Sequence, residues 1–251
     1  MTVHFIGAGP GAADLLTLRA VRLIGESPVC LYAGTYIGAE VLAHCPDGAR
    51  LIDTARLDLD AIIDHCVTAH EAGRDVARLC SGDPSLYSAI AEQTRRLDAA
   101  GVGWDVTPGV PAYAAAAAII GRELTVPDVA QTVVLTRAQR DSTKMPDSEA
   151  LSHFAKSRAT LALHLAIRQT REIAASLVVD YGHDCPVVVV ANAEQPSQVV
   201  LRGTLADIAG QVEAAGLRQA AIILVGRALG RDDARAVESH LYGTRIRPDD
   251  C

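Results

Sequence analysis

The stretch from Val76 to Tyr87, VARLCSGDPSLY, constrains the fold more than any other. Val76 and Leu79 belong to an apolar run that stops at Ser81-Gly82, and beyond Asp83-Pro84 the residues Leu86, Ile90, Thr94 and Leu97 recur at helical spacing. The order is strand, tight turn, helix, with the helix predicted from Ser85 to Ala100. Asp83 has a side chain suited to an N-cap, and Pro84 falls in a first turn, where a missing N–H leaves no bond unmade. Gly82 lets another molecule approach the backbone closely. Alone, these residues describe a well-capped turn of any α/β domain, so a functional reading needs support from elsewhere in the chain.

The same grammar recurs. Val3 to Ile6 reads as a strand running into Gly7-Ala8-Gly9-Pro10-Gly11, after which Asp14 is expected to open a helix with Leu15, Leu18, Val21 and Leu23 near one face. Strands follow at Val29 to Tyr32, Leu51-Ile52 and Trp104 to Thr107, with a helix from Leu59 to His70. A second Gly/Pro turn, Pro108-Gly109-Val110-Pro111-Ala112, leads into the run Ala114 to Ala118. Alternating strands and helices predict a parallel sheet with its ligands at the carboxyl edge. Turn signals in Gly121 to Gln131, GRELTVPDVAQ, mark a junction between an N-terminal α/β domain, 1–120, and a C-terminal α/β domain with a charged tail, 121–251. In the second half, strands are expected at Thr132 to Thr136, Thr160 to Leu165, Val187 to Val190, Val199 to Leu201 and Ala221 to Val225. Helices are expected at Ser148 to Lys156 behind an Asp147 cap, Thr170 to Val179 and Leu205 to Ala215. The fold class is therefore α/β, with two unequal domains and mixed or mostly parallel sheets. A chain that is 49% hydrophobic but only 4% aromatic must build its interior from Ala, Val, Leu and Ile, which suits helices packed on strands.

Several functions are disfavoured. A net charge of −7 argues against nucleic acid, whose phosphates are bound by basic surfaces. No apolar run is long enough to span a bilayer. Six scattered cysteines without a CxxC pair point to a reducing, cytoplasmic setting. GAGPGA fits a loose dinucleotide fingerprint, but Pro10 offers no N–H to a pyrophosphate, and the strand ending at Tyr32 continues as Ala33-Gly34-Thr35 without a ribose-binding acid. Cys66 and His70 stand four apart, with His65 beside them, but no third and fourth ligand are evident, so no metal is expected.

Taken in order, GAGPGAADLLTLRA, SGDPSLYS, TPGVPAYAAAAA, VVLTRA, TLALHLA, PVVVVANAEQPSQ and IILVGRA resemble the successive motifs of the tetrapyrrole methylase family across nearly the whole chain. The resemblance implies S-adenosyl-L-methionine as methyl donor, bound in a cleft between the two domains. Matching positions are Pro10, Gly82, Asp83, Leu86, Pro111, Ala112, Leu165 and Ala193, the last two departing from the methionine and glycine of many relatives. LYAGTYIG and ELTVPDVAQTVVLTRA resemble the branch acting on corrin precursors, which implies C-methylation of precorrin-4, or its cobalt form, at ring carbon 11. The resemblance also implies a homodimer. No catalytic base is named, since an in-line transfer from a sulfonium to an electron-rich carbon needs none. The substrate is rich in carboxylates and the only lysines are Lys144 and Lys156, so Arg137 and Arg140 are candidate partners, with His164 a further candidate beside them. Uroporphyrinogen methylases resemble one another in having an aspartate where this chain has Ala33, which implies that uroporphyrinogen III is not a substrate. A nicotinamide oxidoreductase and a non-catalytic tetrapyrrole or nucleotide sensor are the alternatives of other classes.

Overall fold

The computed structural model describes residues 1–139 and 144–230. The chain divides into two compact units, one of 1–115 together with 192–197 and the other of 116–191 together with the chain from 198 onward.

The first unit alternates strand and helix: β1 (Thr2–Gly7), α1 (Leu18–Glu26), β2 (Val29–Tyr32), α2 (Ala39–Leu42), β3 (Arg50–Asp53), α3 (Leu59–Glu71), β4 (Val76–Cys80), α4 (Ile90–Ala99), β5 (Gly103–Thr107) and the start of α5 (Ala112–Ile120). The five strands are all parallel, in the order β3-β2-β4-β1-β5. Alternation along β1 sends Val3 and Phe5 into a core shared with Ile62, Ile63 and Leu97, and Ile6 into a second core with Ala20, Leu23 and Ile24. Helices thus cover both faces, as a parallel sheet requires. Two helix starts differ from expectation. Asp14 lies in a short 3-10 turn, Ala13–Leu15, and α1 begins at Leu18, where the Thr17 hydroxyl accepts the Ala20 N–H at 3.1 Å. Consequently Leu18 is 91% exposed, and the buried face is Ala20, Leu23 and Ile24. Helix α4 starts at Ile90, five residues later than its periodicity suggests.

The second unit contains β6 (Val133–Arg137), α6 (Leu151–Ala155), β7 (Thr160–His164), α7 (Thr170–Tyr181), β8 (Pro186–Ala191), β9 (Val199–Thr204), α8 (Ile208–Ala214) and β10 (Ala221–Val225). Its sheet runs β6-β7-β10-β8-β9, parallel only between β6 and β7 and antiparallel elsewhere, so it is mixed. Val187 to Val190 are all buried, as expected for a central strand. The single helix expected from Ser148 is broken into a 3-10 turn, Asp147–Glu149, and α6, because Ala150 is extended; Asp147 caps neither. Asp207 bonds back to the Thr204 N–H at 2.6 Å, and this turn delays α8 to Ile208.

Candidate functional site

Strands β4, β1 and β5 are neighbours, and each ends in a Gly/Pro turn at the carboxyl edge of the first sheet. The chain leaves β1 toward β2, past β4, and leaves β4 toward β5, past β1, so the connections from these two adjacent strands run in opposite directions. Such a switch point is where open α/β sheets bind ligands. Here the turns are locked together by backbone. Gly82 N–H donates to Gly9 O at 2.7 Å, Gly9 N–H donates to Gly82 O at 3.2 Å, and Ala8 N–H donates to Cys80 O at 2.8 Å. Both Gly9 (φ 71°) and Gly82 (φ 68°) are left-handed, a conformation that glycine adopts without penalty. A Cβ on Gly7 would lie 2.6 Å from Gly109 Cα, so the first and third turns meet main chain to main chain.

Asp83 ties the second turn to the third. Its carboxylate accepts the Ser85 N–H at 2.8 Å and the Gly109 N–H at 2.9 Å, and also the Ser85 hydroxyl. It is therefore not the N-cap expected from the sequence, because both oxygens are engaged in turns before α4 begins. Partial burial pushes its pKa up, but the Ser85 hydroxyl and the Gly109 and Ser85 N–H groups outweigh this and hold it below the usual carboxylate value. Pro10 is buried. Leu86 is half-buried in the turn after Asp83, its N–H donating to Asp83 O at 3.2 Å. Pro111 and Ala112 open α5 beside Gly82, 3.6 Å from where a Cβ on that glycine would stand. Ala193 joins this group from far along the chain. A Cβ on Gly11 would lie 2.6 Å from Ala193 O, and the segment is folded tightly through left-handed Asn192 and Glu194. Seven of the eight sequence-derived cofactor candidates thus lie in the first unit.

Arg137, His164 and Leu165 lie in the second unit, at the carboxyl ends of parallel neighbours. Arg137 ends β6, His164 ends β7, and the two are paired in register. Leu165 follows with φ 52° and is 48% exposed, which is why β7 stops one residue earlier than expected. Arg137 reaches Lys144 O at 3.3 Å and Ala138 O at 3.4 Å. Burial lowers the pKa of His164 to about 4, so the ring is neutral at pH 7. Arg140 lies outside the described residues. Cys66 is buried in the α3 core, and His70 Nδ1 lies 3.3 Å from Met1 Sδ. Among the described residues no three His, Cys, Asp or Glu side chains are grouped as metal ligands.

Chemically, the edge of the first sheet places one ionised carboxylate among turns whose main-chain groups bond to one another. A fixed carboxylate suits a ligand that carries a cationic group. The sequence does not indicate that Gly109 is a donor to Asp83, since the two are 26 positions apart. Nor does it single out Thr54, Arg78 and Gln93, which bond to one another beneath the same turns.

Residues 2–209 match the family of Tetrapyrrole (Corrin/Porphyrin) Methylases. A precorrin-4 C(11)-methyltransferase from Rhodococcus erythropolis is 57% identical over 248 residues, 98% of this chain and 99% of that protein. Among solved structures, a cobalt precorrin-4 methyltransferase of cobalamin biosynthesis is similar with a TM-score of 0.88 and 36% identity, covering 91% of this chain and 96% of that one. A uroporphyrin-III C-methyl transferase from Thermus thermophilus, complexed with S-adenyl homocysteine, is similar with a TM-score of 0.75 and 26% identity, over 91% of this chain and 99% of that one.

Proposed function

The chain belongs to the tetrapyrrole (corrin/porphyrin) methylase family, and from that premise we infer that it methylates precorrin-4 at ring carbon 11, giving precorrin-5, with S-adenosyl-L-methionine as methyl donor. The observation that carries this reading is the 57% identity to a precorrin-4 C(11)-methyltransferase over 98% of the chain. S-Adenosylmethionine supplies an electrophilic methyl group on a sulfonium. The residues at the first sheet's edge fit such a molecule, since Asp83 is held ionised and suits its cationic groups. We assign Pro10, Gly82, Asp83, Leu86, Pro111, Ala112 and Ala193 to the cofactor, with Leu165 as a further contact. Arg137 and Arg140 are assigned to substrate carboxylates, where a guanidinium pairs bidentately. His164, neutral and half-buried, is assigned a packing or hydrogen-bonding contact with substrate.

The step needs no dedicated base. The ring carbon's electron pair forms the new C–C bond as the methyl–sulfur bond breaks, so the protein's contribution is alignment and exclusion of water. Ala33 cannot accept a proton, which supports a substrate whose reacting carbon is already nucleophilic. No helix among the described residues is long and apolar enough to cross a membrane. We propose a cytoplasmic homodimer, its mass to be measured by light scattering. The enzymatic test is mass spectrometry after anaerobic incubation with labelled S-adenosylmethionine and precorrin-4, cobalt-precorrin-4 or uroporphyrinogen III in separate reactions. Label is expected on precorrin-4. Equal labelling of uroporphyrinogen III would overturn the assignment, and label on cobalt-precorrin-4 alone would change the metal state of the substrate.

A further inference from the structure

Between Asp83 and α4 the chain forms a turn with two left-handed residues that are not glycine, Tyr87 (φ 57°) and Ala89 (φ 52°). Neither conformation is favoured by its side chain, so surrounding bonds must impose it. Gln93, only 3% exposed, supplies them. Its Nε2 donates to Ser88 O at 3.0 Å and to Ala89 O at 3.3 Å, while its Oε1 accepts Arg78 Nε at 3.2 Å. Arg78 Nη1 in turn donates to Thr54 Oγ1 and to Leu79 O, both at 3.4 Å, and the Thr54 hydroxyl donates to Tyr32 O at 3.1 Å. A part-buried polar chain therefore runs from the end of β2, through the middle of the sheet, to the turn. The sequence from Ser85 has helical periodicity, and a plain helix would need none of these groups.

What the turn borders gives the chain a purpose. An open depression of about 740 Å³ begins at Asp83, passes Tyr87 and Ala89, and ends at Val106 and Pro108 of the β5 edge. Its volume is in the range of small-molecule sites. Tyr87 and Val106 are 44% and 42% exposed, an apolar rim suited to the face of a macrocycle. Resting on the function proposed above, we propose that Gln93, backed by Arg78 and Thr54, is a positioning residue that presents the Tyr87–Ala89 turn to the tetrapyrrole. Asp83 is anchored separately, through Ser85 and Gly109, and the Leu86 N–H donates to Asp83 O, whereas Gln93 holds Ser88 and Ala89, so loss of Gln93 frees 87–90 and leaves the cofactor contacts in place.

The test compares wild type with Gln93→Ala and the milder Arg78→Lys, which keeps the charge but loses the fork between Gln93 and Thr54. Amide hydrogen exchange is expected to rise at 87–90 in both variants, more in Gln93→Ala. The KM for anaerobically prepared precorrin-4 should rise about tenfold in Gln93→Ala and less in Arg78→Lys, the loss of roughly one or two hydrogen bonds. Calorimetric affinity for S-adenosylhomocysteine should stay within about twofold, a split that general loosening of the fold does not produce. Unchanged exchange at 87–90, unchanged KM, or a parallel loss of cofactor affinity in Arg78→Lys would overturn the inference while leaving the enzyme assignment intact. Failure of wild-type protein to methylate any precorrin would instead overturn the function on which it rests.

Discussion

At the scale of single residues, Asp83 carries the most testable chemistry. Replacing it by Ala removes bonds to two N–H groups and a hydroxyl in a half-buried setting. The expected cost is about 1–3 kcal/mol of stability, since hydrogen bonds to a charged acceptor are stronger than neutral ones and the freed Gly109 N–H loses its partner. Affinity for S-adenosylhomocysteine should fall at least about tenfold. Calorimetry and urea denaturation separate the two effects, and lowered stability with unchanged affinity would reduce Asp83 to a structural clamp. His164 predicts a pH dependence. Burial lowers its pKa from 6.5 to about 4, so between these values the unfolded chain binds more protons than the folded one. Stability should therefore rise as pH increases from about 4 to 6.5, by on the order of 3 kcal/mol from this group, and level off above. In His164→Gln that part of the slope should disappear from urea midpoints measured across the window, and an unaltered slope would show that other groups govern it.

At the scale of elements, the site depends on turns packed without side chains. Gly109 and Gly7 face each other, and a Cβ on Gly109 would lie 2.8 Å from Gly7 Cα. Main chain on both sides gives little room to relax, so Gly109→Ala should cost about 1–3 kcal/mol by overpacking. Gly210 provides the contrast. It lies inside α8, and a Cβ there would meet no atom within 4 Å, so Gly210→Ala should stabilise by about 0.5–1 kcal/mol through helix propensity. Denaturation midpoints of the two variants should move in opposite directions. Helix starts obey the same hierarchy. Residues 85–89 have helical periodicity, but Asp83 bonds to Gly109 and Gln93 bonds to Ser88 and Ala89, and tertiary bonds decide the conformation.

At the scale of the whole molecule, a ligand that binds only the folded chain must stabilise it by mass action. S-Adenosylhomocysteine at 100 times its Kd adds about 2.7 kcal/mol, which for a protein of this size raises the melting temperature by about 5–10 °C. NADP should give no shift. A shift with NADP alone, read by differential scanning fluorimetry, would point instead to a dinucleotide enzyme. The mixed second sheet and the parallel first sheet are the arrangement expected of two unequal α/β domains.

Some of this was decided locally, within a few residues of sequence. Strands β2, β4 and β10 have the bounds read from the chain, because each is short, mostly apolar and mostly buried, and is closed by turn residues. The Gly/Pro turns were legible for the same reason, as glycine and proline set their own dihedrals. Tertiary structure alone decided which turns meet. Strand order β3-β2-β4-β1-β5 brings Gly9 against Gly82 and Asp83 against Gly109, and folding carries Ala193 to Gly11 across 182 positions. Pairings between residues so far apart leave no periodic trace in the sequence. They arise only when strand order and packing bring the two main chains into contact, and that geometry brings separate motifs to one edge of the sheet.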